Sequence, residues 1–121
     1  MIQVRNIIYD GESQEADIEL ESKGICITCY SHPVNNKGQI YKFIDNEIFA
    51  FQVTDIQIDD THIPMAAKVD EGYYSYFLRG KVISDSQIQI HDFIIHIDYL
   101  PKDILVGKYV SCRCLRLDIG E

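Results

Sequence analysis

The stretch QIQIHDFIIHI, residues 87–97, sets Ile88 and Ile90 two positions apart and pauses at His91-Asp92. It then resumes the same alternation with Phe93, Ile95 and Ile97. A period of two marks a strand with one covered face, and a polar pair between two such runs marks a tight hairpin. The pattern governs the whole chain, because β-branched and aromatic residues recur at this period and no stretch carries a helical stripe. Ile2 and Val4 begin a first strand that bends near Arg5–Asn6. Ile18 and Leu20 alternate with Asp17, Glu19 and Glu21, a strand with one wet, negative face. Lys23-Gly24 turns the chain into ICITCY. Phe49, Phe51 and Val53 share a face, and the phase then shifts to Ile56 and Ile58, as a β-bulge would shift it. Residues 59–72 are the least strand-like, with room for one helical turn over Pro64–Lys68. YYSYFLRGKVI, QIQI, FIIHI and a final strand YVSCRCLRLDI complete a four-strand meander over residues 73–119.

The expected fold is therefore all-β. It is a single small barrel or sandwich of about eight short, mostly antiparallel strands occupying residues 1–121 as one domain. Hydrophobic residues make up 46% of the 121, enough for a real core and too many for disorder. The opening run MIQVRNIIYDGESQEAD has no basic region followed by an apolar stretch, and no apolar run nears the ~20 residues of a membrane helix. A cytoplasmic location, reduced thiols and no membrane partner are the expectations.

Cys26, Cys29 and His32 stand as C-x-x-C-x-x-H, with Cys112 and Cys114 far downstream, the right number of thiols for a structural zinc. The geometry argues against it. Ile27-Thr28 between the first pair are β-branched and favour extended backbone, which sends residues three apart to opposite faces. Cys112 and Cys114 share a face with Val110, as buried thiols in a core do. No metal and no cofactor are expected. The chain carries no nucleophile elbow, no phosphate loop and no dinucleotide fingerprint, so it is not expected to be an enzyme. His32, His62, His91 and His96 include no helical pair, and each is read as a lone surface histidine.

Charge is the remaining signal. Lys and Arg number 11 against 19 Asp and Glu, a net charge of −8. Such a surface opposes polyanions, whose affinity comes largely from neutralised phosphates, and draws basic partners. The candidate contact residues are the carboxylates Asp10, Glu12, Glu15, Asp17, Asp55, Asp59 and Asp60. Tyr74 and Tyr76 are added as anchors, because tyrosine buries area and still finds a hydrogen bond.

Residues 80–119 run G-K-V, then I-x-I-H-D-x-x-I-x-I, then L-P-x-D-I-x-x-G-x-Y-V. This layout resembles the hairpin-plus-final-strand portion of small OB-like and SH3-like barrels, and the resemblance implies a barrel without implying chemistry. In size, charge and expected cytoplasmic character, the chain as a whole is similar in type to bacterial immunity proteins. That similarity implies a non-enzymatic module that neutralises a basic, nuclease-type toxin. The alternative is an OB-like barrel that binds nucleic acid or a small ligand, through a groove built from Lys37, Lys42, Lys81, Arg113 and Arg116.

Overall fold

A computed structural model describes residues 2–9, 15–31, 43–44, 47–69, 72, 74–98 and 100–119. Among them are twelve strands and no helix. The strands are β1 (Ile2–Tyr9), β2 (Ala16–Ser22), β3 (Ile25–Ser31), β4 (Phe43–Ile44), β5 (Ile48–Phe51) and β6 (Thr54–Ile58). They continue as β7 (Met65–Lys68), β8 (Tyr76–Ser84), β9 (Gln87–Ile90), β10 (Phe93–His96), β11 (Tyr109–Cys114) and β12 (Arg116–Ile119). Eleven form one hydrogen-bonded path, β4-β1-β2-β3-β12-β5-β10-β9-β8-β11-β6, and β7 pairs with β8 beside it. The path is open, with β4 at one end and β6 at the other.

Several local expectations hold. β2 and β3 are joined by Lys23-Gly24, both at positive φ (49° and 85°), as a type I′ hairpin turn requires. β9 and β10 are joined by His91-Asp92, with Ile90 opposite Phe93. β1 carries a bulge between Val4 and Asn6, so that Val4 and Ile7 are both buried. Residues 65–68 differ from expectation. They form β7 rather than a helical turn, because Met65–Lys68 find a partner in Tyr76–Arg79.

One core is shared by both halves of the path. Val4, Ile18, Leu20, Ile27 and Cys29 reach it from β1–β3, and Leu78, Ile88, Ile90, Phe93, Ile95, Val110 and Leu117 from the rest. Full burial of each large aliphatic side chain stabilises the fold by about 1.5–3 kcal/mol. Two corners make the sharing possible. β5–β6 and β11–β12 are a single antiparallel ribbon, with Phe51 opposite Arg116 and Thr54 opposite Arg113. It is creased where Gln52 takes φ 53° and the Leu115 N–H donates to the Phe51 carbonyl at 2.9 Å. The buried phase accordingly jumps from Cys114 to Leu117, and residues 109–119 are two strands, not one.

The second corner is in β8. Its first half pairs with β7 and its second half with β9 on the same side. At the changeover, a Cβ on Gly80 would stand 2.7 Å from the Gln89 carbonyl oxygen, so only glycine lets β9 approach there. The expected meander is likewise altered: β8, β9 and β10 are consecutive neighbours, but β11 returns to the far side of β8.

ICITCY is a strand. Cys26 is exposed and Cys29 fully buried, on opposite faces, while Cys112 and Cys114 are buried side by side on β11. At neutral pH, native protein with reduced thiols should therefore give one fast-reacting thiol per chain with a maleimide, and all four after unfolding. Fast native labelling of Cys112 or Cys114 would put that face of β11 in water.

Candidate functional site

The outer face of the coiled sheet carries a lateral row of side chains fixed by strand register. Ile8 stands opposite Asp17, Asp17 opposite Tyr30, Tyr30 opposite Asp118, Asp118 opposite Phe49, Phe49 opposite His96, and His96 opposite Gln87. Paired residues of neighbouring strands point to the same face, so this row crosses seven strands as one surface. Phe49 is 40% exposed and its neighbour Phe51 42%, an unusual degree for phenylalanine on regular strands. The sequence placed these two on a common face. The structure places that face outward, because Ile48 and Ala50 take the core.

Polar contacts hold the row in place. The Tyr30 phenol donates to Glu15 Oε1 at 2.7 Å, and the Tyr74 phenol donates to Asp17 Oδ1 at 2.6 Å. The two rings meet edge to face, 6.2 Å between centroids. The hydrogen bond to Glu15 holds the Tyr30 phenol above its ordinary pKa. Arg116 lies over the Tyr30 ring at 4.5 Å and over the Phe51 ring at 4.9 Å. It also forks onto Asp118, Nε to Oδ1 at 2.6 Å and Nη2 to Oδ2 at 3.1 Å. That bidentate pair holds the guanidinium above its ordinary pKa. At the far end the His96 ring stacks on Phe49, 4.7 Å between centroids. Its Nε2 stands 3.7 Å from Glu47 Oε1.

Two clefts open along the row. One, of about 210 Å³, is lined by Ile8, Tyr9, Glu15, Asp17, Tyr30 and Tyr74. The other, of about 370 Å³, lies against Phe49, Phe51, His96 and Asp118.

Of the residues chosen from sequence, the structure thus unites Glu15, Asp17 and Tyr74. Asp10 and Glu12 lie outside the described residues. Tyr76 is corrected. It is 2% exposed and cannot serve as a surface anchor. Its ring belongs to the core, and its phenol oxygen accepts the Thr28 N–H at 2.8 Å. Asp55, Asp59 and Asp60 belong to β6 and the turn after it, away from the row. Asp55 sits at φ 56° in the irregular pairing of β6 with β11. Asp59 organises its own turn, accepting the Thr61 N–H at 2.9 Å, with Arg79 Nε at 3.8 Å. Hydrogen bonds from Thr61, above all, hold its carboxyl below the ordinary value.

Sequence reasoning missed Tyr30, Phe49, Phe51, Arg116 and Asp118. The signal was present in R-L-D, residues 116–118. Once Leu117 is recognised as the buried residue after the phase jump at Leu115, its charged neighbours must face outward together.

Among the described residues, no three His, Cys, Asp or Glu side chains stand close enough to hold a metal ion. No helix among them is long and apolar enough to cross a membrane. Comparison with protein-family models, with curated proteins and with solved structures returns no match.

Proposed function

We propose that this protein is a non-enzymatic binding module that engages a basic protein through the outer row of β2, β3, β12 and β5. An immunity protein that blocks a nuclease-type toxin is the form of this reading that the charge and size suggest. The observation that carries it is the joining of the carboxylates of Glu15 and Asp17 with Tyr30, Tyr74, Phe49 and Phe51 on one face. Carboxylates of this kind steer a basic surface into place, and half-exposed aromatics supply contact area at low entropic cost. The nucleic-acid alternative finds less support. Lys37 and Lys42 of its groove lie outside the described residues, and Arg116 is already neutralised by Asp118.

The test is capture from cells of the source organism with the tagged chain and with a Glu15→Lys, Asp17→Lys double variant. The wild type should retain a protein of high isoelectric point, and the variant should lose it. Capture of nucleic acid alone, or capture of the same protein undiminished by the double variant, contradicts the proposal.

A further inference from the structure

The connection from β10 to β11 ends in an apex that points away from the core. Leu100 is buried, and its N–H donates to the Asp85 carbonyl at 2.9 Å. Ile104 packs against the core. The next two residues face water. Leu105 is 63% exposed and Val106 67%, the two most exposed large apolar side chains among the described residues. The backbone holds them there. The Lys108 N–H donates to the Leu105 carbonyl at 3.2 Å and Gly107 takes φ 96°, the arrangement of a type II turn with Val106 at its corner. The Gly107 N–H donates to the Val82 carbonyl at 2.9 Å, and the Lys108 carbonyl accepts the Val82 N–H at 2.8 Å. The turn is thus tied to β8, and Leu105 and Val106 stay outside the core that Ile104 reaches.

Charge around the apex runs against the rest of the molecule. Lys102 and Lys108 flank the apolar pair, and both are exposed. Lys81, exposed as well, stands opposite Tyr109, the neighbour of Lys108. Residues 101–108 hold two lysines and one aspartate, Asp103, a net +1 that Lys81 raises to +2, in a chain of net −8.

We infer that this apex is a membrane-docking tip, which sets Leu105 and Val106 into the headgroup boundary of an anionic bilayer while Lys81, Lys102 and Lys108 meet the lipid phosphates. The inference goes beyond the reading of the outer row and departs from the sequence expectation of no membrane partner. Charge complementarity selects the occupant. An anionic bilayer presents an apolar layer beneath a negative surface, the counterpart of an apolar pair flanked by cations. Lysine suits this place, because its aliphatic stem lies along apolar surface while the ammonium stays in water. Each lysine near such a surface strengthens binding about fivefold, and salt weakens the attraction by shortening its range.

The chain has no tryptophan, so Leu105→Trp puts a single reporter at the apex. Its emission is followed as vesicles of equal parts phosphatidylserine and phosphatidylcholine are added at low ionic strength, with vesicles of phosphatidylcholine alone alongside. Wild-type protein is co-sedimented with the same vesicles. The expected result is a blue shift with the anionic vesicles, quenching by lipids brominated in their acyl chains, and release at high salt. Wild-type protein should bind the neutral vesicles several-fold more weakly. Leu105→Ser with Val106→Ser should lower co-sedimentation at least tenfold at an unchanged urea midpoint, and so should Lys102→Glu with Lys108→Glu. The inference is overturned by the absence of a blue shift with anionic vesicles. Co-sedimentation undiminished in the double serine variant, or equal binding to neutral and anionic vesicles, overturns it as well. Ile58→Trp, an exposed position on β6, should show no shift, and a blue shift equal to that at the apex would place the contact elsewhere. The outcomes separate from those of the functional proposal. A chain that binds anionic vesicles through Leu105 and Val106 but captures no basic protein keeps the tip and loses the function. A chain that captures a basic protein and ignores the vesicles keeps the function and loses the tip.

Discussion

Unfolding free energy, measured by urea titration in the presence of a reductant, should fall steeply above pH 9. Three thiols are the cause. Burial pushes Cys112 up to about 12 and Cys114 up to about 11, from an ordinary value of 9.0, and pushes Cys29 in the same direction. In the unfolded chain all three ionise near pH 9, whereas in the folded chain they keep their protons. A group whose folded pKa is raised contributes stability that is complete below its unfolded pKa and is lost as pH climbs toward the folded one. Between about pH 9 and pH 11 each thiol therefore removes about 1.4 kcal/mol per pH unit, and the three together about 4. Tyr76, raised by burial as well, adds to the loss once unfolded tyrosines ionise near pH 10. A domain of this size has about 5–15 kcal/mol in all, so the fold should fail within this window. Cys112→Ala should lower the starting stability and reduce the slope by about 1.4 kcal/mol per pH unit. A stability profile flat from pH 9 to pH 11 would show that these thiols are in contact with water.

Tyr76→Ala should come close to unfolding the protein at neutral pH. Loss of a large buried aromatic side chain costs about 3–5 kcal/mol, and the ring of Tyr76 is among the largest fully buried groups in the molecule. The substitution also strips the Thr28 N–H of the phenol oxygen that accepts it, at a further cost of about 1–3 kcal/mol. This contact ties β3 to the start of β8, so it joins the two halves of the coiled sheet. Tyr76→Phe separates the effects, since it keeps the ring and removes only the acceptor. It should cost about 1–3 kcal/mol, read as a lower urea midpoint at unchanged slope. A Tyr76→Ala protein within about 1 kcal/mol of wild type would mean that the ring does not seal the core.

Tyr76 also marks where the sequence stops being legible. Period-two alternation says which residues share a face. It does not say which face is covered. In YYSYF the adjacent Ser75 and Tyr76 are both buried, because the strand begins only at Tyr76 and Ser75 lies before it, its N–H donating to the Gly72 carbonyl and its carbonyl accepting the Val69 N–H. The same ambiguity hid the row of Phe49 and Phe51, whose covered neighbours Ile48 and Ala50 are no more apolar than they are. By contrast, ADIELES and QIQIHDFIIH were legible in full, because polar residues mark one face of the first and a turn interrupts the second. The thiols were legible for the same reason: β-branched Ile27-Thr28 fix the extended backbone that separates Cys26 from Cys29. The crease at Gln52 and Leu115 depends on two segments more than sixty residues apart meeting as one ribbon, and no local pattern specifies that meeting. Of the carboxylates, local patterning put Asp17 on the wet face, but only the register of β2, β3 and β12 joins it to Tyr30 and Asp118.

If the outer row steers and holds a basic partner, the association rate constant must depend on ionic strength through Glu15 and Asp17. It is measured for the captured partner against wild type and against the Glu15→Lys, Asp17→Lys variant. The wild-type rate should fall steeply as salt rises, and the variant should be slower by roughly tenfold or more at low salt. The two curves should converge once the Debye length shrinks to about 3 Å near 1 M salt. Equal rates and equal salt slopes for the two proteins would show that Glu15 and Asp17 do not steer the partner.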